Sequence, residues 1–371
     1  MGSFLGIAHA LIVSFLVSVV AGHDSCQNPR VRRECTYFTM IPLSDALTCG
    51  SQYLADIPHD PNMVPSVPAN LSLIPPVNES GSFYDDIVYL HMDLNIKIHW
   101  TGLFFPWHRY YIQFFENALI EKCGFEGAIP YWDWTIDAPD TYNSPFFDNS
   151  SFGGIGGWGD PADDFQIYTG GFKDAIRAYP IPNRIRRNYT LYPFQNPNLG
   201  NLFANDPKAP PPPRNFMINS SLTKENIEYT VNGFKGNFIV MHAYTESLAG
   251  LHPGAHFILG GDMTGTCPNG AVPPACYGGP KWTPNDPVFF MHHAMIDKIW
   301  YDWQKKSPKN RFSYGGGSVE ALSSFATFTE FPTGLPPYLN FDSPIPGDGL
   351  WNVTIWDVMD TTGDTLCYTY A

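Results

Sequence analysis

Three stretches of the chain repeat apolar residues at helical spacing, and each carries a histidine on its apolar stripe. The first stripe runs from Tyr84 to Ile98 and includes His91. Ser82 stands before it as an N-cap, and Asp85 three residues later completes the pattern of a capping box. We therefore predict a helix that begins after Ser82 and turns His91 toward the core.

The second stripe follows Pro106 and runs from His108 to Leu119. Gly124 comes soon after it, and glycine suits the left-handed position at the end of a helix. We predict that His108 opens this helix and that the helix stops at Gly124.

The third stripe has Asp286 as its N-cap and Pro287 at the first helical position. Its apolar face includes His293 and continues to Trp303. The neighbouring His292 lies about 100° round the helix, on a second apolar face. Both histidines of this pair are therefore expected to point into the protein.

His252 and His256 have the i, i+4 spacing that places two side chains on one side of a helical turn. Because proline is tolerated only in the first turn, Pro253 puts His252 at or beside the N-cap. We predict a short helix here that ends near Gly260 and Gly261.

The segments between these helices are polar and rich in proline, most clearly from Pro58 to Pro76 and from Asn196 to Pro213. We interpret both as surface loops. The fold class is therefore predicted to be mainly α, with long irregular loops and few short strands.

The amino terminus has the features of a signal peptide over residues 1–21. A small or apolar run extends from Ala8 to Val20, and Val19 and Ala21 occupy the −3 and −1 positions of a cleavage site. We expect a secreted protein without a membrane partner after cleavage, because no later segment has the roughly 18 consecutive apolar residues of a membrane span. Six glycosylation sequons fit the secretory pathway, beginning at Asn70, Asn78, Asn149, Asn188, Asn219 and Asn352.

Seven cysteines agree with an oxidising compartment, and the odd number leaves at least one unpaired or bonded outside the chain. We predict one pair, Cys267 with Cys276, because the two flank a short loop of proline and glycine. The other pairings stay open.

The charge composition argues against two classes of binding partner, nucleic acids and anionic membranes. The 371 residues include 21 basic and 35 acidic ones, a formal charge of −14, which repels phosphate backbones and anionic membranes. We therefore expect no nucleic-acid partner. A hydrophobic content of 44% is ample for a sizeable core.

The histidines are the candidate chemical groups. A single buried imidazole on an apolar face is usually a hydrogen-bonded core residue. Six in one core would be costly to desolvate without partners, whereas a metal takes up their lone pairs and keeps them neutral. Ligation by nitrogen alone suits copper, zinc, iron or nickel.

Two segments resemble the copper sites of the tyrosinase and catechol oxidase family, the type-3 copper proteins. In the first, seven residues separate His91 from His99, eight separate His99 from His108, and Arg109 and Glu116 follow. The second comprises His252, His256, Asp286, the pair His292 and His293, and Asp297. The stretch from Tyr131 to Trp134 is also similar to the family's core, and the residues from Cys26 to Glu34 resemble short secreted fungal tyrosinase-like proteins.

The resemblance implies a four-helix bundle core that encloses a dinuclear copper site. The ligands of the two copper ions would be His91, His99 and His108 for one, and His252, His256 and His293 for the other. Because these sets lie on both sides of the second loop and must meet, we predict a single domain over residues 22–371. His293 is preferred to His292, since the second member of the pair is the family's ligand.

The implied activity is the oxidation of o-diphenols to o-quinones by dioxygen. Further substrates would be monophenols, or tyrosine residues of a precursor peptide. Asp297 lies one turn after His293; it either orients that histidine, pairs with Arg109 or is an ordinary surface acid.

Two positions depart from the family's pattern. Lys97 stands where many members have a cysteine bonded through a thioether to the second ligand. Pro253 stands where many phenol-hydroxylating members have an asparagine that helps a water to deprotonate the phenol. Proline has no side-chain hydrogen-bonding group, so diphenol oxidation is favoured over hydroxylation. Glu246 either holds that water or, as we expect, is a solvated surface residue.

The main alternative is a haemocyanin-like protein that binds dioxygen without turnover, although such proteins usually repeat their domain. A zinc hydrolase is disfavoured, because the stretch from His252 to His256 lacks the glutamate of an H-E-x-x-H motif. Tyr368 and Tyr370 resemble the tyrosine motif that closes the family's catalytic core. We therefore expect no C-terminal lid domain and no need for proteolytic activation.

Overall fold

The computed structural model describes residues 26–33, 74–151, 154–196, 199, 203, 206–211 and 213–371. The predicted signal peptide, Cys35, Cys49 and most of the loop predicted from Pro58 to Pro76 lie outside these residues. Helices dominate the described part of the chain: α1 (Phe83–Ile98), α2 (Phe104–Cys123), α3 (Trp134–Asp137), α4 (Lys224–Asn232), α5 (Phe238–Thr245), α6 (Leu251–Leu259), α7 (Val288–Lys306), α8 (Pro308–Arg311) and α9 (Phe325–Glu330).

The strands are two to four residues long and pair only two at a time among the described residues: β1 (Arg30–Arg32), β2 (Ile176–Arg177), β3 (Asn183–Arg184), β4 (Gly317–Val319), β5 (Leu335–Tyr338), β6 (Pro344–Ile345), β7 (Val353–Thr354) and β8 (Tyr368–Tyr370). β1 pairs with β8 in parallel, and the pairs β2–β3, β4–β5 and β6–β7 are antiparallel. The mainly α class with few short strands is confirmed.

The capping box predicted for the first helix is present at the start of α1. The Ser82 hydroxyl oxygen accepts from the Asp85 backbone N–H at 3.2 Å, and an Asp85 carboxylate oxygen accepts from the Ser82 N–H at 2.8 Å. The helix that follows buries the His91 side chain completely.

The starts of α2 and α7 each differ slightly from the prediction. α2 begins at Phe104, two residues before Pro106, because proline is tolerated within the first turn; it ends as expected, with Gly124 left-handed at φ 68°. α7 begins at Val288, and its N–H donates to an Asp286 carboxylate oxygen at 3.1 Å, so Asp286 still caps this end.

Four helices pack side by side at the centre: α1 against α2, α2 against α7, and α7 against α6. The Tyr111 hydroxyl of α2 donates to the Ile87 carbonyl of α1 at 2.7 Å. Phe115 of α2 stacks on Phe290 of α7, with ring centroids 3.7 Å apart. This arrangement fits the predicted four-helix core, and each of these helices carries at least one of the histidines singled out above.

A disulfide between Cys26 and Cys367 joins the two ends of the described chain, beside the β1–β8 pair. The predicted disulfide between Cys267 and Cys276 is also present. Within the ranges that the structure describes, no helix has the length and apolar character to cross a membrane.

Candidate metal centre

Buried histidines form two groups within the described ranges, and in each group the potential ligand atoms lie within 4.8 Å of one another. The first group is His91, His99 and His108, from α1, the residue after α1 and the first turns of α2. The second is His252 and His256 of α6 with His292 and His293 of α7. The fold thus brings together all six predicted ligands and adds His292 to them.

Backbone carbonyls orient four of these rings. Each ring donates its Nδ1–H to a carbonyl oxygen: His91 to Lys281 at 2.7 Å, His99 to Asn95 at 2.9 Å, His108 to Phe104 at 2.8 Å and His256 to Met263 at 2.7 Å. Because a neutral imidazole carries one N–H, this bond leaves the lone pair on Nε2. All four rings therefore present Nε2 as an acceptor or ligand atom.

Several of these nitrogens are buried without a partner. No described residue forms a hydrogen bond to the Nε2 atoms of His91, His108, His252, His256, His292 and His293. Leaving a buried polar atom unsatisfied costs about 1–3 kcal/mol each. A transition metal in each group would satisfy the Nε2 atoms of the histidines that bind it, so the residues present fit a pair of nitrogen-ligated metal ions.

The two groups meet through His108 and His293. Their rings stack with centroids 4.2 Å apart and an interplanar angle of 12°. The His293 ring also lies 5.0 Å from that of His252. The His292 ring stacks on His252 with centroids 5.5 Å apart, and it contacts His256 at 4.8 Å and Trp134 at 5.5 Å.

Burial lowers the pKa of every histidine in the two groups. It lowers the pKa of His99 to about 4 and that of His256 to about 3. In each case a hydrogen bond to a backbone carbonyl opposes the shift by raising the pKa, but burial is the larger effect. For His91, His108, His252 and His293 the pKa is held well below its ordinary value, first by burial and then by the neighbouring histidines. The rings are therefore neutral at neutral pH, the form that binds a metal.

The lowered pKa values predict that the metal-free protein loses stability as the pH falls below 6.5, the ordinary histidine pKa. Unfolded His256 takes up a proton near that pH, whereas the folded residue stays neutral down to about pH 3, so acid favours the unfolded chain. Between pH 7.5 and 5.5 the free energy of unfolding should fall about 1 kcal/mol further in the wild type than in His256→Gln. Urea unfolding at both pH values measures this difference; an equal fall in the two proteins contradicts it.

Asp297 lies at the centre of a buried ion cluster, so a surface role for it is wrong. Its carboxylate accepts from Arg109 Nε at 2.5 Å, from the Tyr370 hydroxyl at 2.6 Å and from the Tyr368 hydroxyl. Arg32 Nη1 lies 3.6 Å away. Of the roles considered above, pairing with Arg109 is the one found. The cluster joins α2 and α7 to the strand that carries the C-terminal tyrosines.

The expectation that Glu246 is solvated is also wrong: its side chain is buried directly after α5. Its carboxylate accepts from the Trp100 backbone N–H at 2.9 and 3.0 Å and from His242 Nε2 at 2.8 Å. Burial raises the pKa of Glu246 well above its usual range and lowers that of His242 to about 3. His242 was not among the residues predicted from the sequence, although its i, i+4 spacing from Glu246 was a usable signal.

A cleft of about 570 Å³ leads to the two groups. Its lining includes His99, His252 and His256, together with Leu248, Pro253, Phe257 and the disulfide-bonded Cys267. Among the described lining residues, none is an aspartate, glutamate, lysine or arginine. The arrangement offers a planar, uncharged molecule a route to both histidine groups.

Comparisons with known proteins agree with this geometry. The model of the common central domain of tyrosinase matches residues 81–306, which include all seven histidines of the two groups. The chain is 30% identical over 356 residues to tyrosinase ustQ of Aspergillus flavus, covering 93% of this chain and 80% of that protein. It is 28% identical over 309 residues to the tyrosinase-like protein phomQ1 of Diaporthe leptostromiformis, covering 81% and 71%. A solved polyphenol oxidase from Thermothelomyces thermophila has the same fold, with a TM-score of 0.59, 22% identity and coverage of 92% and 89%.

Proposed function

Because this chain belongs to the tyrosinase family and is a tyrosinase-like oxidoreductase, we propose that it holds two copper ions and oxidises o-diphenols to o-quinones with dioxygen. The proposed ligands are His91, His99 and His108 for one ion, and His252, His256 and His293 for the other. The observation that supports this most directly is the set of buried ring nitrogens without a hydrogen-bond partner among the described residues.

Each part of the site has a task in this proposal. The carbonyls of Lys281, Asn95, Phe104 and Met263 hold Nδ1–H of four ligands, which keeps Nε2 available. Copper ions held by these histidines would supply the redox chemistry that takes two electrons from a catechol and passes them to dioxygen. The apolar side chains of Leu248 and Phe257, which line the cleft together with the imidazoles, would pack against the aromatic ring of the substrate.

Oxygen uptake by the copper-loaded protein in the presence of 4-methylcatechol tests this function. We expect dioxygen consumption together with quinone formation. If dioxygen binds reversibly and no catechol is oxidised, the haemocyanin-like alternative replaces the oxidase. If dioxygen neither binds nor is consumed, both are wrong.

Pro253 should make the enzyme prefer catechols to monophenols. A side chain that positions a proton acceptor contributes typically about 10²–10⁴-fold to a rate, and proline supplies none. We therefore expect kcat/KM for 4-methylcatechol to exceed that for 4-methylphenol by at least about 100-fold. In Pro253→Asn the value for the monophenol should rise about tenfold while that for the catechol stays within about threefold. Equal values for the two substrates in the wild type contradict this prediction.

The natural substrate in this proposal is a phenol, either a small diphenol or a tyrosine residue of a precursor peptide. We also propose that residues 22–371 form one secreted domain after removal of a signal peptide. Two disulfides among the described residues support an oxidising compartment. The intact mass of the secreted protein tests the cleavage and shows whether the sequons are glycosylated.

A further inference from the structure

His99 is positioned differently from the other proposed ligands. The other five lie within helices, whose hydrogen bonds fix the direction of their side chains. His99 follows the last residue of α1 and has extended backbone angles, φ −119° and ψ 144°. Its direction therefore depends on the short turn between α1 and α2.

One residue of that turn, Trp100, has a backbone conformation that is unfavourable unless other residues stabilise it. Trp100 has φ 50°, in the left-handed region, which costs a residue other than glycine roughly 1 kcal/mol or more. Its backbone N–H also lies beyond the hydrogen-bonding pattern of α1 and donates to Glu246, 146 residues further along the chain. Both carboxylate oxygens accept this N–H, at 3.0 and 2.9 Å.

Glu246 is itself held in place from the other side. His242, one turn earlier, donates from Nε2 to its carboxylate at 2.8 Å. The His242 ring stacks on Phe104 with centroids 5.3 Å apart, and Phe104 lies 4.7 Å from the ring of His252. The pair His242–Glu246 is thus buried directly behind the proposed copper site.

We infer that Glu246 is a positioning residue, which, held by His242, fixes the turn at Trp100 and so aims His99 at its copper ion. This inference rests on the proposed function, because it takes His99 as a copper ligand. Lys97, two residues before His99, cannot form the thioether that a cysteine would form there. The backbone carbonyl of Asn95 then holds the His99 ring, and the carboxylate of Glu246 holds the turn that follows it.

The test compares Glu246→Leu with Glu246→Gln in the full chain. Leucine keeps the apolar volume without an acceptor, whereas glutamine keeps an amide oxygen for the Trp100 N–H. Removing a partner that orients a ligand typically lowers metal affinity about 10–100-fold. In chelator competition we expect Glu246→Leu to bind one of its two copper ions about 10–100-fold more weakly than the wild type. The copper affinity of Glu246→Gln should stay within about threefold of the wild-type value.

Thr245→Val is the matched control. Thr245 is a buried neighbour whose hydroxyl bonds to Met241 within α5, so its removal disturbs the same helix end without touching Trp100. The inference is overturned if Glu246→Leu binds copper like the wild type, or if Glu246→Gln or Thr245→Val loses as much affinity as Glu246→Leu. Failure of the wild type to bind two copper ions would instead refute the proposed function.

Should Glu246→Leu not fold, as judged by circular dichroism of the copper-free protein, His242→Phe provides a second variant. Phenylalanine keeps the ring against Phe104 and removes the donor to Glu246. A several-fold loss of affinity for one copper ion is expected in this variant. An unchanged affinity there overturns the inference.

Discussion

Replacement of His293 by alanine should reduce the copper content from two ions to one and lower catechol oxidation by at least about 100-fold. A change in a group that merely orients a ligand costs about 10–100-fold in metal affinity or activity, so the loss of the ligand itself costs at least as much. Both members of the pair contact His252, but His293 is the one whose ring stacks on His108 of the first group.

His292→Ala is the matched control for this experiment. His292 is equally buried and adjacent in sequence, but its ring packs against His252, His256 and Trp134. We expect this variant to keep two copper ions and activity within about tenfold of the wild type. Metal analysis and oxygen uptake on both variants decide the assignment; a loss of copper in His292→Ala alone would reverse it.

Asp297→Ala should lower the free energy of unfolding by about 3–5 kcal/mol, because it removes one partner of a buried ion pair and leaves Arg109 uncompensated. The two tyrosine hydroxyls that donate to the same carboxylate lose their acceptor as well. Chemical denaturation of the copper-free protein measures the effect without interference from metal binding.

Asp302→Ala tests whether any acid on α7 has the same effect. Its carboxylate accepts from Lys298 Nζ at 2.6 Å, but the side chain is 36% exposed. Solvent screens such a pair, so the loss should be at most about 1 kcal/mol. Equal effects of the two substitutions would show that the cluster around Asp297 contributes nothing particular to stability.

The helices that carry the proposed ligands could be predicted because their signals are local. A capping box at Ser82, a glycine at Gly124 and an aspartate at Asp286 mark their ends, and the structure has each helix end within two residues of these positions. The direction of His91 follows from the same periodicity. Resemblance to a family supplied the ligand sets, which periodicity alone does not specify.

The hydrogen bonds that hold the site's residues in place could not be predicted, because they join residues far apart in the sequence. The carbonyl that orients His91 belongs to Lys281, and the carboxylate that holds the turn after His99 belongs to Glu246. Glu246 was predicted to be a surface residue, because burial of an acid depends on tertiary partners rather than on its neighbours in the chain. The disulfide between Cys26 and Cys367 spans 341 residues and leaves no local pattern.

Copper counted per chain, followed by anaerobic reduction and readmission of dioxygen, tests the central claim most directly. We expect two copper ions per chain and an absorption band that appears only with dioxygen and disappears when a catechol is added and oxidised. Fewer than two copper ions in fully loaded protein, or two ions without any response to dioxygen, would contradict it.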